Sequence, residues 1–293
     1  MKKLVLATLL ATSSLVASAQ VAMSGKVSMW VDNNKVGAAS ATNLVTEPTS
    51  NIAVSAKEDL GGGLAARAVV ETSLQGNTVS GADTRLGDRQ TTIGVATKFG
   101  SVDFGRNVHS HFLAITDNDV FGTLYGSVAG DVHNLRGLRL GNAGFASLSP
   151  MKNVHLSVER EFNGVGTNAQ VVALGGKFKG VDGVYARYEN GKETSTVLGL
   201  STKMAGATFA YTHSDNAGVA KSKGDLFGVS KGFGAVTAKA SYGKTNTNVK
   251  AYALGADYAF SKRTEVGVAY RNVDKVATAN DVKELGVGLT HRF

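Results

Sequence analysis

From residue 22 to the C-terminus, apolar and polar side chains alternate with a period of two, in runs of roughly 8 to 12 residues, and no stretch sustains a helical period. The alternation predicts a succession of strands at 22–31, 50–58, 64–73, 89–98, 101–107, 135–143, 151–162, 168–178, 182–190, 193–203, 206–214, 223–233, 235–245, 250–261, 263–273 and 283–293. In the last of these, Leu285, Val287, Leu289, His291 and Phe293 share one face and Glu284, Gly286, Gly288, Thr290 and Arg292 the other. Val266, Val268 and Tyr270 oppose Arg263, Glu265, Ala269 and Arg271 in the same way, and Val154, Leu156 and Val158 oppose His155, Ser157 and Glu159. One oily face and one charged face on each strand fit a sheet with lipid on one side and water on the other, and suit a dry sandwich core poorly.

The connections fall into two kinds. Tight turns are expected at Asp59-Leu60-Gly61-Gly62-Gly63, Phe99-Gly100, Ser149-Pro150, Lys179-Gly180-Val181, Ala205, Gly234 and Ser261-Lys262. Longer polar tracts are expected at 33–49, 75–88, 109–134, 215–222 and 274–282, while 163–167 and 191–192 are short. Short turns at one rim and loops at the other describe an up-and-down transmembrane barrel. An even strand count lets the first strand pair with the last, and such closure is required in lipid, where each unpaired backbone group costs several kcal/mol. The fold class read here is therefore all-β, an antiparallel barrel of about sixteen strands, or fourteen if a weak segment such as 135–143 fails. Phe99, Phe162, Phe178, Phe233, Phe260 and Phe293 lie near strand ends, where an interfacial aromatic girdle would sit.

Composition sharpens this picture at the N-terminus. Lys2 and Lys3, the apolar stretch Leu4 to Val16 and the small residues Ala17-Ser18-Ala19 make 1–19 a secretory signal, with the mature barrel spanning 20–293. Nothing downstream offers the roughly 18 consecutive apolar residues of a spanning helix. The mean hydropathy of −0.03 would suit a water-soluble chain, but a barrel hides half of its strand residues from lipid. The chain has 36 Gly, 2 Pro and no Cys, so tight turns are well supplied and no disulfide framework exists. The formal charge is +8; without Lys2 and Lys3 there remain 29 basic residues against 23 acidic, an excess of six. An exported basic protein points to anionic solutes or surfaces rather than nucleic acid.

Three stretches resemble a known family. Ala53-Val54-Ser55-Ala56-Lys57-Glu58-Asp59-Leu60-Gly61-Gly62-Gly63-Leu64, Lys98-Phe99-Gly100-Ser101-Val102-Asp103-Phe104-Gly105-Arg106 and the ending Gly286-Val287-Gly288-Leu289-Thr290-His291-Arg292-Phe293 are similar to motifs of Gram-negative general porins, closest to those of β-proteobacteria and Neisseria. The resemblance implies an outer-membrane location, a sixteen-stranded homotrimeric barrel, and a third external loop folded into the lumen, with basic wall residues facing acidic loop residues. It also implies contact with outer-membrane lipids and lipopolysaccharide, and a terminal aromatic residue, Phe293, read by the barrel-assembly machinery. The chain is shorter than is usual for the family, which suggests trimmed loops, and it lacks the Pro-Glu-Phe-Gly motif seen after the fifth strand in some relatives.

On this reading 107–134 is the constriction loop, carrying Asp117, Asp119 and Asp131. Its plainer alternative is a solvated external loop. Arg67, Glu71, Arg89 and Arg106 are candidates for the facing wall, and Lys177, Arg187, Lys203, Lys239 and Arg271 extend a basic lining wherever strand phase turns them inward. A charged side chain facing lipid at mid-membrane costs about 2 to 4 kcal/mol, an argument that spares those near the rims. A basic bore raises the local anion concentration, so the expected function is passive diffusion of small hydrophilic solutes and ions with a leaning toward anions.

Covalent chemistry finds little support. His109 and His111 lack the i, i+4 spacing and the carboxylate of a recognised zinc motif. Residues 164–169, Gly-Val-Gly-Thr-Asn-Ala, mimic a dinucleotide fingerprint with no helix after it. No cofactor, metal or catalytic residue is assigned. The rivals are a lipase-like barrel, for which no Ser/His constellation is evident, and an adhesin or surface-antigen barrel with a closed lumen.

Overall fold

The computed structural model describes residues 19–76, 85–122, 124–133, 135, 137–163, 168–218, 221–275 and 280–293. The expected secretory signal, apart from Ala19, and the fingerprint-like 164–167 lie outside the described residues. In chain order the strands are β1 (Gln20–Val36), β2 (Ala39–Thr46), β3 (Asn51–Gly61), β4 (Leu64–Ser73), β5 (Gln90–Thr97) and β6 (Gly100–Val108). Two short helices follow, α1 (Ser110–Thr116) and α2 (Ala129–Val132). The chain continues through β7 (Arg139–Met151), β8 (Val154–Glu161), β9 (Gln170–Phe178), β10 (Val181–Asn190), β11 (Glu193–Met204) and β12 (Ala207–Ala217). It ends with β13 (Ser222–Phe233), β14 (Val236–Thr245), β15 (Lys250–Ala259), β16 (Thr264–Asp274) and β17 (Val282–Arg292).

All of these strands form one sheet. β2 and β3 both pair with the same side of β1, Trp30 opposite Val45 and Met23 opposite Val54, so together they make one stave interrupted at 47–50. The result is a closed antiparallel barrel of sixteen staves. β1 and β17 seal it over the register Lys26 opposite Arg292 to Val36 opposite Val282, and Gly25 and Phe293 exchange backbone bonds of 3.0 Å just beyond. Every stave therefore has two partners, as hydrocarbon demands.

The alternation read from sequence maps onto the two faces of this wall. On β17, Leu285, Val287 and Leu289 are 52–55% exposed on the outside, whereas Glu284 is 7% exposed on the inside. The aromatic residues near strand ends behave likewise, with Phe99, Phe162, Phe178, Phe233, Phe260 and Phe293 all turned to the surface.

The short connections are 62–63, 98–99, 152–153, 179–180, 205–206, 234–235 and 260–263, and the opposite rim carries the long ones. Four expectations change. The tract 33–49 is largely a hairpin, closed by Gly37 at φ 57°. Its strand lacks oily alternation, and side-chain bonds such as Asn33 Nδ2 to Thr42 Oγ1 (3.4 Å) supplement the backbone ladder. The turn expected at Ser149-Pro150 lies instead at 152–153. Pro150, which has no N–H to donate, occupies a register irregularity between Leu148 and Met151 inside β7. The weak segment 135–143 is a strand, shifted to Arg139–Met151, and the loop expected at 215–222 contracts because β12 runs on to Ala217.

Candidate functional site

Strand phase decides which charges reach the lumen. Arg67 on β4 lies beside Gly94 in register, on the face opposite the exposed Ile93, so it points inward, where it pairs with Asp103 and donates to Ser101 Oγ at 2.8 Å. Glu71, four residues on, accepts from Asn51 at 2.9 Å and pairs with Arg89, whose guanidinium also reaches the Pro48 carbonyl at 2.5 Å. Lys177 meets Asp182 (3.0 Å), Lys239 meets Asp257 (2.7 Å), and Arg271 meets Glu284 (2.8 Å). Lys203 falls on the phase of the buried Val197, toward the lumen.

Two of the expected wall residues do not face the lumen. Arg106 is registered with Thr91, on the face that carries Ile93 and Phe104, and it donates to the Asp88 carbonyl at 2.7 Å near the loop rim. Arg187 is registered with Val172, 47% exposed on the outside, and pairs with Glu189 close to the end of β10. Both escape the cost of a mid-membrane charge because they stand near the rim, and Arg187 is further neutralised by its partner.

The segment between β6 and β7 is tied to inward-facing residues over more than half of the wall. His109 caps α1, accepting from the Phe112 N–H at 3.1 Å, and its Nε2 lies 2.5 Å from the Gly137 carbonyl. The Ser110 N–H and hydroxyl both donate to Glu159 of β8. His111 Nε2 meets Ser195 Oγ of β11 at 2.8 Å, so the pair that superficially suggested a metal site anchors a helix to the wall. Among the described residues no cluster of three His, Cys, Asp or Glu could hold a metal ion.

The wall is hollowed to receive this segment. A Cβ at Gly199 would stand 2.7 Å from the Ala114 carbonyl, one at Gly228 2.9 Å from Val120, and one at Gly255 2.8 Å from Phe121. Further along, Tyr125 stacks on Trp30 of β1 (centroids 4.2 Å apart, planes 13° apart) and its N–H donates to Glu47 at 3.0 Å. Burial raises the Glu47 carboxyl, but Lys26 at 2.6 Å and the donated hydrogen bonds outweigh it and hold the group below the usual carboxylate range. His133 ends the segment, with Nε2 2.6 Å from Thr212 Oγ1 and Nδ1 2.8 Å from Ser214 Oγ.

The three aspartates of the segment play different parts. Asp131 meets Arg271 at 3.1 Å and Lys275 at 3.8 Å, an acid of the segment facing a basic wall. Asp119 turns back into its own segment, accepting from the Phe121 N–H (3.0 Å) and Ser127 Oγ (2.5 Å). Asp117 ends α1 beside a recess of about 460 Å³ shared with His155, Lys177 and Asp182, and burial pushes its carboxyl up. Sequence reasoning missed Lys26, Glu47, Asp103 and the Trp30–Tyr125 stack. Trp30, an aromatic out of phase with the exposed Val31, was the one available signal.

A family model described as Gram-negative porin matches residues 6–293. No curated protein matches the chain in sequence. Among solved structures, the chain is similar to an anion-selective porin from Comamonas acidovorans, at 17% identity and TM-score 0.79 over 94% of this chain and 100% of that one. OmpF of Salmonella typhi in complex with daunomycin gives 16%, 0.76, 94% and 98%. The trimer form of OmpT, an outer membrane protein of Vibrio cholerae, gives 13%, 0.69, 94% and 100%.

Proposed function

This chain belongs to the Gram-negative porin family, and from that premise we propose that it is an outer-membrane channel for passive diffusion of small hydrophilic solutes and ions, weakly anion-preferring, assembled as a homotrimer and exported by a cleaved signal. The observation that carries the reading is the sealed sixteen-stave wall with apolar residues outside and charged ones inside. The segment 109–133 narrows the bore. It leans on the wall formed by β8 to β17 and β1, leaving Arg67, Asp103 and Lys57 to face the remaining passage.

The anion preference is weak because most lumen cations already hold an acid: Lys26 with Glu47, Arg67 with Asp103, Lys239 with Asp257, Arg292 with Glu265. Such pairs set a transverse field without much net charge. Lys57 and Lys203, on the lumen face near the short turns, tip the balance. No catalytic chemistry enters this reading, and the anion-selective Comamonas porin agrees with it by fold alone.

Planar-bilayer recording on refolded residues 20–293 is the test. Conductance that scales with bulk salt, in steps of three, with a reversal potential displaced slightly toward chloride in a KCl gradient, is expected. A silent bilayer with no liposome swelling by small sugars would instead favour a closed surface-antigen barrel, and clear cation preference would end the anion reading.

A further inference from the structure

Most cations inside the barrel are paired, but those on the outer side of the short-turn rim are not. Four of the seven short connections carry them, as Lys98, Lys152, Lys179 and the pair Lys262 and Arg263, and Lys231 stands near the end of β13 before the turn at 234–235; all are exposed, and none has an ion pair among the described residues. Each stands beside an apolar side chain that is equally exposed: Phe99, Met151, Phe178, Phe233 and Phe260 lie between 59% and 73% exposed. Phe178, Phe233 and Phe260 hold the phase of Leu174, Phe227 and Leu254, the outer face of the wall. The same pairing of a cation with an oily neighbour thus recurs around the rim, on strands with no other likeness.

Geometry fixes which way these charges serve. Lys98 Nζ lies 4.9 Å from the Phe99 ring centroid, Lys179 Nζ 5.4 Å from Phe178, and Lys231 Nζ 5.6 Å from Phe233. An ammonium resting on an outward ring is held on the membrane side of the rim and not aimed into the mouth of the bore. The rings enter the hydrocarbon boundary while the lysine tips stay at headgroup depth. At that depth, cations with no acid of their own face phosphate.

We propose that the short-turn rim is a collar that binds the headgroups of anionic glycerophospholipids in the leaflet it touches. The collar has gaps at 62–63, where Glu58 and Asp59 precede the turn, and at 205–206, where Lys203 turns into the lumen. The inference rests on the chain spanning a bilayer and is independent of whether the bore conducts.

The test reads lipid preference on the full mature barrel, refolded in phosphatidylcholine bilayers with spin-labelled phosphatidylglycerol or spin-labelled phosphatidylcholine as probe. Wild type should hold phosphatidylglycerol in preference, by roughly fivefold at a site touching one lysine. Raising the salt from about 0.1 M to about 1 M, which shortens screening from about 10 Å to about 3 Å, should abolish the preference. The variant K98Q/K152Q/K179Q/K231Q/K262Q should lose most of it, while K35Q/K244Q/K250Q/K283Q at the opposite rim keeps it. An unchanged preference in the first variant, or loss only in the second, overturns the proposal. So does a first variant whose reversal potential moves while its lipid preference stays, since the lysines would then serve the mouth of the channel. Lipid association is read without current, so a silent channel with an intact preference would count against the proposed function and leave the collar standing.

Discussion

Acid should loosen the inner segment through His133. Its ring is 1% exposed, enclosed between Thr212 and Ser214, and burial, then the nearby His213, bring it down to about 4, with Asp225 pulling the other way. A docked ring at about 4 resists a proton that an undocked ring accepts near 6.5. Docking strength is therefore fully present above pH 6.5, falls as pH drops toward 4, and changes no further below. The gap corresponds to roughly 3 kcal/mol, a few-hundred-fold in the docking equilibrium. The barrel carries its own reporter, because Trp30 is the only tryptophan and stacks on Tyr125 of the same segment. Trp30 emission should titrate between pH 6.5 and 4 in wild type and stay flat from 6.5 to 4.5 in H133Q, which keeps a hydrogen-bonding side chain without the titration. Glu47, also near Trp30, is held below 4.5, so its contribution is fully present above that value and is lost as pH falls from there, which leaves the stretch between pH 6.5 and 4.5 to the histidine. Identical titrations in the two proteins between pH 6.5 and 4.5 would refute the assignment to His133.

Three further outcomes follow from the wall. R67Q leaves Asp103 in the lumen without its cation, so the reversal potential in a KCl gradient should move toward cations, while R187Q, on the outer face, should leave it where it was. G199V drives a side chain into the Ala114 carbonyl and Asn118, forcing α1 off the wall. The cost should be about 1–3 kcal/mol, seen as a lower melting temperature with the strand circular dichroism retained. Deleting Phe293 should cut the yield of assembled barrel in cells more than refolding in detergent. Equal loss in both would assign the residue to the seam it shares with Gly25 and not to recognition by the assembly machinery.

The barrel was legible because lipid enforces it. Wherever a strand meets hydrocarbon, every second residue must be apolar, and β15 to β17 declare both faces in the sequence. Legibility failed where that pressure lifts. β2, with Ser40, Thr42 and Asn43, pairs through its backbone ladder and polar side chains, so its sequence reads as a loop. The inner segment was legible as an unusually long connection, and Asp131 and Arg271, two of the residues singled out in the sequence, meet at 3.1 Å. Its anchors were not legible, because His109, His111, His133 and Glu159 acquire their meaning from partners 28 to 84 positions away.

Charge shows the same division. A count over the whole chain gives a basic protein, and a basic protein suggests a basic bore, but the barrel sorts its charges by phase and by height. Arg271 shares the phase of the buried Ala269 and holds two acids on the lumen side, Glu284 of the neighbouring strand and Asp131 of the inner segment; Arg187 shares the phase of an exposed valine and never reaches water inside. A cation in the narrow bore, partly desolvated, needs an acid close by, and most of those here have one. A lysine at a rim pays no such penalty and can stay single, as Lys98, Lys152, Lys179 and Lys231 do. Much of the excess positive charge therefore sits at the ends of the cylinder, where it meets headgroups and bulk solution, and ion selectivity must be read from the few lumen cations without a partner and not from the isoelectric point.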